Sequence, residues 1–91
     1  MVTEPTHVDG NAAAGVFAEV LGFDVTTATL TCGKCGCARA FAECHVYQRG
    51  PGIVVRCPCC GDVLARLVRT PTEVWLDFRG AQSWRVPIPA P

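Results

Sequence analysis

CGKCGC, Cys32–Cys37, is answered further along by VVRCPCCG, Val54–Gly61. Each stretch contains Cys-x-x-Cys-Gly: Cys32, Cys35 and Gly36 in the first, Cys57, Cys60 and Gly61 in the second. Two residues between cysteines let one tight turn aim both sulfurs at a single ion. The glycine that follows tolerates the left-handed backbone such a turn requires. Pro58, inside the second turn, presets its φ. The pairs are separated by the 21 residues Gly36–Arg56, an interval that reads as a zinc site. Four thiolates at tetrahedral angles suit Zn2+ with Zn–S near ~2.3 Å. The expected metal ligands are therefore Cys32, Cys35, Cys57 and Cys60, holding one Zn2+ per chain. A closed four-thiolate zinc leaves no position for water or substrate, so it is structural. No Ser/His/Asp set, phosphate-binding glycine loop or paired carboxylates accompany it, and the chain reads as no enzyme.

The chain has seven cysteines, an odd number that argues against a closed disulfide framework. Cys37, Cys44 and Cys59 read as packed or spare thiols. Cys59 should point away from the metal held by its neighbours. His45, between Cys44 and Val46, reads as a half-buried strand histidine rather than a ligand.

Outward from the cysteines, 91 residues make one domain, 49% hydrophobic and 18% charged. That is too apolar for a disordered chain, and the chain is short enough that a metal or disulfide staple is plausible on size alone. The opening MVTEPTHVDG lacks a basic, then apolar, export signal. No apolar run approaches the ~20 residues of a membrane span. The expected location is cytoplasmic.

Asp9 is a helix N-cap candidate. Ala13, Val16, Phe17, Val20 and Leu21 form one helical stripe, and Gly22 suits the left-handed cap that ends it. A helix is predicted over 10–21, with Gly15 inside it as a place for close packing. Strands are predicted over 24–31, 41–48, 53–57, 63–69 and 73–79, with a turn at Arg49–Gly52. In the last strand Val74, Leu76 and Phe78 alternate with Trp75, Asp77 and Arg79, one row facing inward and one outward. Residues 1–7 and the proline-rich 87–91 read as tails. The expected fold is a small α+β metal-bound domain: a zinc-ribbon-like antiparallel β-sheet with one N-terminal α-helix.

Net charge is zero but uneven. Residues 1–30 carry only acids, Glu4, Asp9, Glu19 and Asp24. The middle of the chain carries Lys34, Arg39, Arg49, Arg56, Arg66 and Arg69 against Glu43 and Asp62.

CGKCG…VVRCPCCG, the leader DGNAAAGVFAEVLG, AECHVYQRGPGIVVRC and VWLDFRG together resemble the short uncharacterised actinobacterial proteins of domain-of-unknown-function type 6510, which are zinc-ribbon-like. The likeness spans roughly Asp9 to Gly80. It implies a cytoplasmic metal-binding fold and carries no catalytic residues.

The expected role is an interaction module. Its contact surface would be the basic middle, Arg39, Arg49, Arg56, Arg66 and Arg69, or the outward row Trp75, Asp77 and Arg79. A protein partner or self-association is favoured over nucleic acid, which calls for a strongly basic domain with aromatic platforms. Two alternatives remain. CGKCG…CPCCG also resembles rubredoxin-like one-electron carriers with a four-thiolate iron. A thiol-based redox or zinc sensor would use Cys37, Cys44 or Cys59.

Overall fold

The computed structural model describes residues 8–49 and 52–88. The tip of the Arg49–Gly52 turn, the 1–7 tail and residues 89–91 lie outside the described residues, as does the side chain of Arg49. The described chain is a β-rich α+β fold with one α-helix. β1 (Val8–Asp9) leads into a 3-10 turn (Gly10–Ala12) and α1 (Ala14–Leu21). Then come β2 (Thr29–Cys32), β3 (Ala38–Ala40), a second 3-10 turn (Phe41–Glu43), β4 (His45–Arg49) and β5 (Gly52–Arg56). β6 (Val63–Arg69), β7 (Val74–Asp77) and β8 (Ala81–Arg85) complete it.

Two antiparallel sheets form, ordered β1-β4-β5-β6-β7 and β3-β2-β8. Each Cys-x-x-Cys turn joins two neighbouring strands of one sheet: β2 to β3 in the smaller, β5 to β6 in the larger. The side-chain alternation of a strand places the sulfurs. Leu30 and Cys32 share the buried face of β2, and the buried row Ile53 and Val55 of β5 runs on to Cys57. In both sheets the register slips one step before the turn, between Thr31 and Cys32 and between Val55 and Arg56. Such bulges re-aim a strand end beside a site.

The core is aromatic along one line. Phe17 of α1 meets Phe41 edge-on at 5.1 Å, Phe41 lies 5.9 Å from Trp84, and Trp84 lies 5.0 Å from Phe78. Phe17 and Phe41 are fully buried. Gly22 ends α1 at φ 84°, its N–H bonding Ala18 O, as its position predicted.

Several expectations are corrected. The predicted helix splits. Asp9 accepts from Asn11 N at 3.1 Å and so caps the 3-10 turn, while α1 itself begins at Ala14. Gly10 fits there because a Cβ would run into the Phe41 carbonyl. Gly15 is exposed with nothing near it, so no close packing explains it. The 24–31 strand shortens to β2 because Asp24 takes the Thr26 N–H (2.9 Å) and hydroxyl (2.7 Å) into a local turn. The 41–48 strand loses its start to the 3-10 turn, where Glu43 accepts from Ala40 N at 3.3 Å. The alternation in β7 does not become an inside and an outside: Val74 and Leu76 are 39% exposed and Trp75 64%. That strand is a sheet edge beyond the reach of the core. β8 is an addition, pairing with β2 and setting Trp84 opposite Leu30.

Candidate metal centre

The fold brings the sulfurs of Cys32, Cys35, Cys57 and Cys60 within 4.8 Å of one another. Contacts run diagonally: Cys32 Sγ lies 3.7 Å from Cys60 Sγ, and Cys35 Sγ 3.7 Å from Cys57 Sγ. Cys32 and Cys57 are buried, Cys35 and Cys60 exposed. Each turn thus gives one sulfur from a core row and one from the surface.

The two turns repeat the same hydrogen bonds. Gly36 N donates to Cys32 O and Gly61 N to Cys57 O, both at 2.9 Å. Cys32 N donates to Cys37 O at 2.9 Å, and Cys57 N to Asp62 O at 2.8 Å. Lys34 N points at Cys32 Sγ at 3.4 Å, and Cys59 N at Cys57 Sγ at 3.3 Å. Gly36 and Gly61 carry φ of 77° and 82°, a conformation that only glycine takes at little cost.

These N–H groups favour thiolate. Burial opposes ionisation of Cys32, but the backbone N–H groups of Cys35 and Lys34 and the thiols of Cys60 and Cys35 outweigh it, bringing the group down to about 7. At Cys60 the Asp62 N–H favours the charge. Desolvation and the neighbouring sulfurs of Cys32, Cys35 and Cys57 win instead, pushing it up to about 12. Cys32 and Cys60, with sulfurs 3.7 Å apart, titrate as a pair: the first proton leaves readily, and the second is held by repulsion between thiolates. A divalent cation at the centre removes that repulsion. The cluster could therefore hold a metal ion.

Both turns are braced from outside. Gly33 N donates to Gly80 O at 2.9 Å. Gly80 also packs so closely on β6 that a Cβ there would run into the Val63 carbonyl. The Phe78–Gly80 segment is thus wedged between the first turn and the strand leaving the second. Arg56 Nη1 donates to Gly61 O at 2.8 Å while its guanidinium lies 5.5 Å from the Tyr47 ring centre.

The remaining cysteines divide. Cys44 is a buried packed thiol, as expected, donating to Ala40 O at 3.5 Å. Burial above all, with the neighbouring Cys57 and Glu43, pushes it up to about 12. Cys37 and Cys59 are not spare: a disulfide joins them, with Cα atoms 6.5 Å apart. Nor does Cys59 point away from the cluster, since the sulfurs of Cys37, Cys57 and Cys59 also lie within 4.8 Å of one another. Neither cysteine has ligand spacing with a neighbour, and only the facing of the two turns brings them together. His45 is half-buried in β4, in register with Asp9 and Arg56, and belongs to neither sulfur group.

The expected contact residues scatter. Arg69 pairs with Glu19 at 2.8 Å, Arg79 with Asp77 at 2.7 Å, and Arg56 serves the second turn. Arg39 and Arg66 are exposed. Trp75, Asp77 and Arg79 do share a surface, lining with Arg66, Val68, Leu76 and Phe78 an open cleft of about 450 Å³. No helix among the described residues is long and apolar enough to cross a membrane.

Two antiparallel sheets whose strand-joining turns converge four cysteines define a small cysteine-clustered β domain. Residues 4–89 match the family of unknown function DUF6510, and the chain belongs to that family. Comparison with curated proteins and with solved structures gives no match.

Proposed function

We propose that this chain is a non-catalytic zinc-ribbon module in which one zinc, held by Cys32, Cys35, Cys57 and Cys60, fastens two sheets and frees their outer surface for a protein partner. The observation that carries this reading is the four-sulfur cluster built from two turns with matching hydrogen bonds. Magnitudes favour a structural role. Structural zinc contributes about 10–16 kcal/mol in small domains, as much as the whole stability of a typical fold, about 5–15 kcal/mol. Zinc is favoured over iron by the aliphatic and basic surroundings of the cysteines in sequence.

The protein-partner half rests on β7, an edge strand among the described residues, with the exposed Trp75 lining the 450 Å³ cleft. Exposed aromatic surface beside unpaired strand edges suits contact with another chain. Arg56, Arg69 and Arg79 are engaged within the fold, which speaks for a protein rather than nucleic acid.

Elemental analysis with native mass spectrometry on protein purified without added metal tests the metal half. One zinc per chain is expected. One iron per chain would replace this reading with one-electron transfer, for which the exposed Cys35 and Cys60 sulfurs would be the entry points. For the partner half, Trp75→Ser should weaken capture of a purified partner while leaving zinc content unchanged. Undiminished capture would remove Trp75 from the contact.

A further inference from the structure

The Cys37–Cys59 disulfide joins the same two turns as the metal cluster. Cys37 closes the first turn through its carbonyl, which accepts from Cys32 N. Cys59 lies inside the second, its N–H directed at Cys57 Sγ. The bond spans 22 residues, and so does the diagonal Cys35–Cys57 contact. Disulfide and metal therefore close almost the same loop. The alternative use of these sulfurs, a second metal site, has among the described residues only Cys37, Cys57 and Cys59 to offer. Cys57 already belongs to the four-sulfur group, which leaves Cys37 and Cys59 to each other.

We propose that Cys37 and Cys59 form a redox-active thiol pair whose disulfide is a second, metal-independent clamp on the two cysteine turns. The inference rests on the structural-metal reading. The two cross-links act on different states. The metal binds the folded chain, whereas the disulfide limits the unfolded chain whether or not metal is present. Oxidised protein then keeps more of its fold through metal loss than reduced protein does.

Exposure orders the chemistry. Cys59 is the open member and Cys37 half-buried. In the reduced chain the Cys59 thiolate attacks a low-molecular-weight disulfide, forming a mixed disulfide and releasing one small thiol. Cys37 then attacks the Cys59 sulfur and releases the second. Two protein thiols and one small disulfide become one protein disulfide and two small thiols, a transfer of two electrons and two protons. A small dithiol reverses it.

The test is a cycle of four states: full-length protein with its disulfide intact or reduced, each with metal and with chelator, unfolded in urea. Glutathione disulfide is the oxidant, and mass spectrometry follows the loss of two hydrogens. With chelator, oxidation should raise the folding equilibrium constant about 300-fold, as expected for a loop of this length. With metal present the gain should be of similar size, on top of the metal's own contribution. Cys37→Ser should show neither gain and should keep its metal. No gain in chelator, or no disulfide after oxidant, would overturn the clamp. So would two metals in reduced protein falling to one in Cys37→Ser, since the pair would then be ligands. A gain confined to metal-bound protein would also overturn it, since the clamp would then depend on the metal. No loss of stability on adding chelator, in either redox state, would instead overturn the structural-metal reading while leaving the disulfide's own effect measured.

Discussion

The two cysteine turns are near copies in backbone and unlike in side chains. Both use a carbonyl two residues past the second cysteine, that of Cys37 in one and Asp62 in the other, to take the N–H of the first cysteine. Both end on a left-handed glycine. Yet the first is Gly33-Lys34 inside and the second Pro58-Cys59. The first is held by the Gly80 carbonyl, the second by the Arg56 guanidinium. Backbone geometry is what aims two sulfurs, so the intervening side chains are free to take other work. Cys37 and Cys59 occupy non-equivalent places in the two turns. They meet because the turns face each other on the diagonal recorded by the two 3.7 Å sulfur contacts.

The largest loss is expected at the buried sulfurs. In reducing buffer, Cys32→Ser or Cys57→Ser should lose the metal and unfold, since the metal's contribution matches the whole stability of a small fold. The exposed partners, Cys35→Ser and Cys60→Ser, should bind more weakly yet retain more structure at saturating metal. Circular dichroism across a zinc titration reads both, and identical behaviour of all four variants would dissolve the buried–exposed distinction.

The braces come next. Gly80→Ala forces a methyl into the Val63 backbone and should cost about 1–3 kcal/mol, lowering the urea midpoint and metal retention together. Arg56→Met removes one charge-assisted bond to the Gly61 carbonyl from a half-exposed position and should cost about 1 kcal/mol. If Arg56→Met proves the more damaging of the two, the first turn does not depend on its wedge.

Away from the turns, Gly15→Ala should stabilise by about 1 kcal/mol, because Gly15 sits in α1 with open space around it. A lower thermal midpoint would mean that the α1 surface is covered by something.

Cys44 gives the pH dependence. Its thiol is raised from 9.0 to about 12 in the fold, so the native state holds its proton more tightly than the unfolded chain does. That stability is complete below pH 9 and is lost as pH rises toward 12. Cys44→Ala should flatten the alkaline limb of a stability–pH curve, and an unchanged limb would place the loss elsewhere.

What the sequence discloses follows from how locally each feature is determined. The grouping of Cys32, Cys35, Cys57 and Cys60 is legible because two turns each specify two sulfurs within a few residues. α1 is legible from its apolar stripe and Gly22, and β5 and β6 from their dense β-branched and leucine runs. β8 is not, since in AQSWR only Ala81 and Trp84 turn toward the core while Gln82, Ser83 and Arg85 are exposed. Its place beside β2 is a tertiary outcome. The split into two sheets is equally non-local. So is the Cys37–Cys59 bond, which no spacing encodes. β7 misled in another way: its period-two pattern is real, but a sheet edge has no core to bury its apolar row.

In the proposed site one metal is gripped by four thiolates from two turns. X-ray absorption at the metal edge of the protein as isolated tests it directly. Four sulfurs near ~2.3 Å from zinc, with no nitrogen or oxygen neighbour, are predicted. A sphere with fewer than four sulfurs, or one that includes a water oxygen, would contradict it.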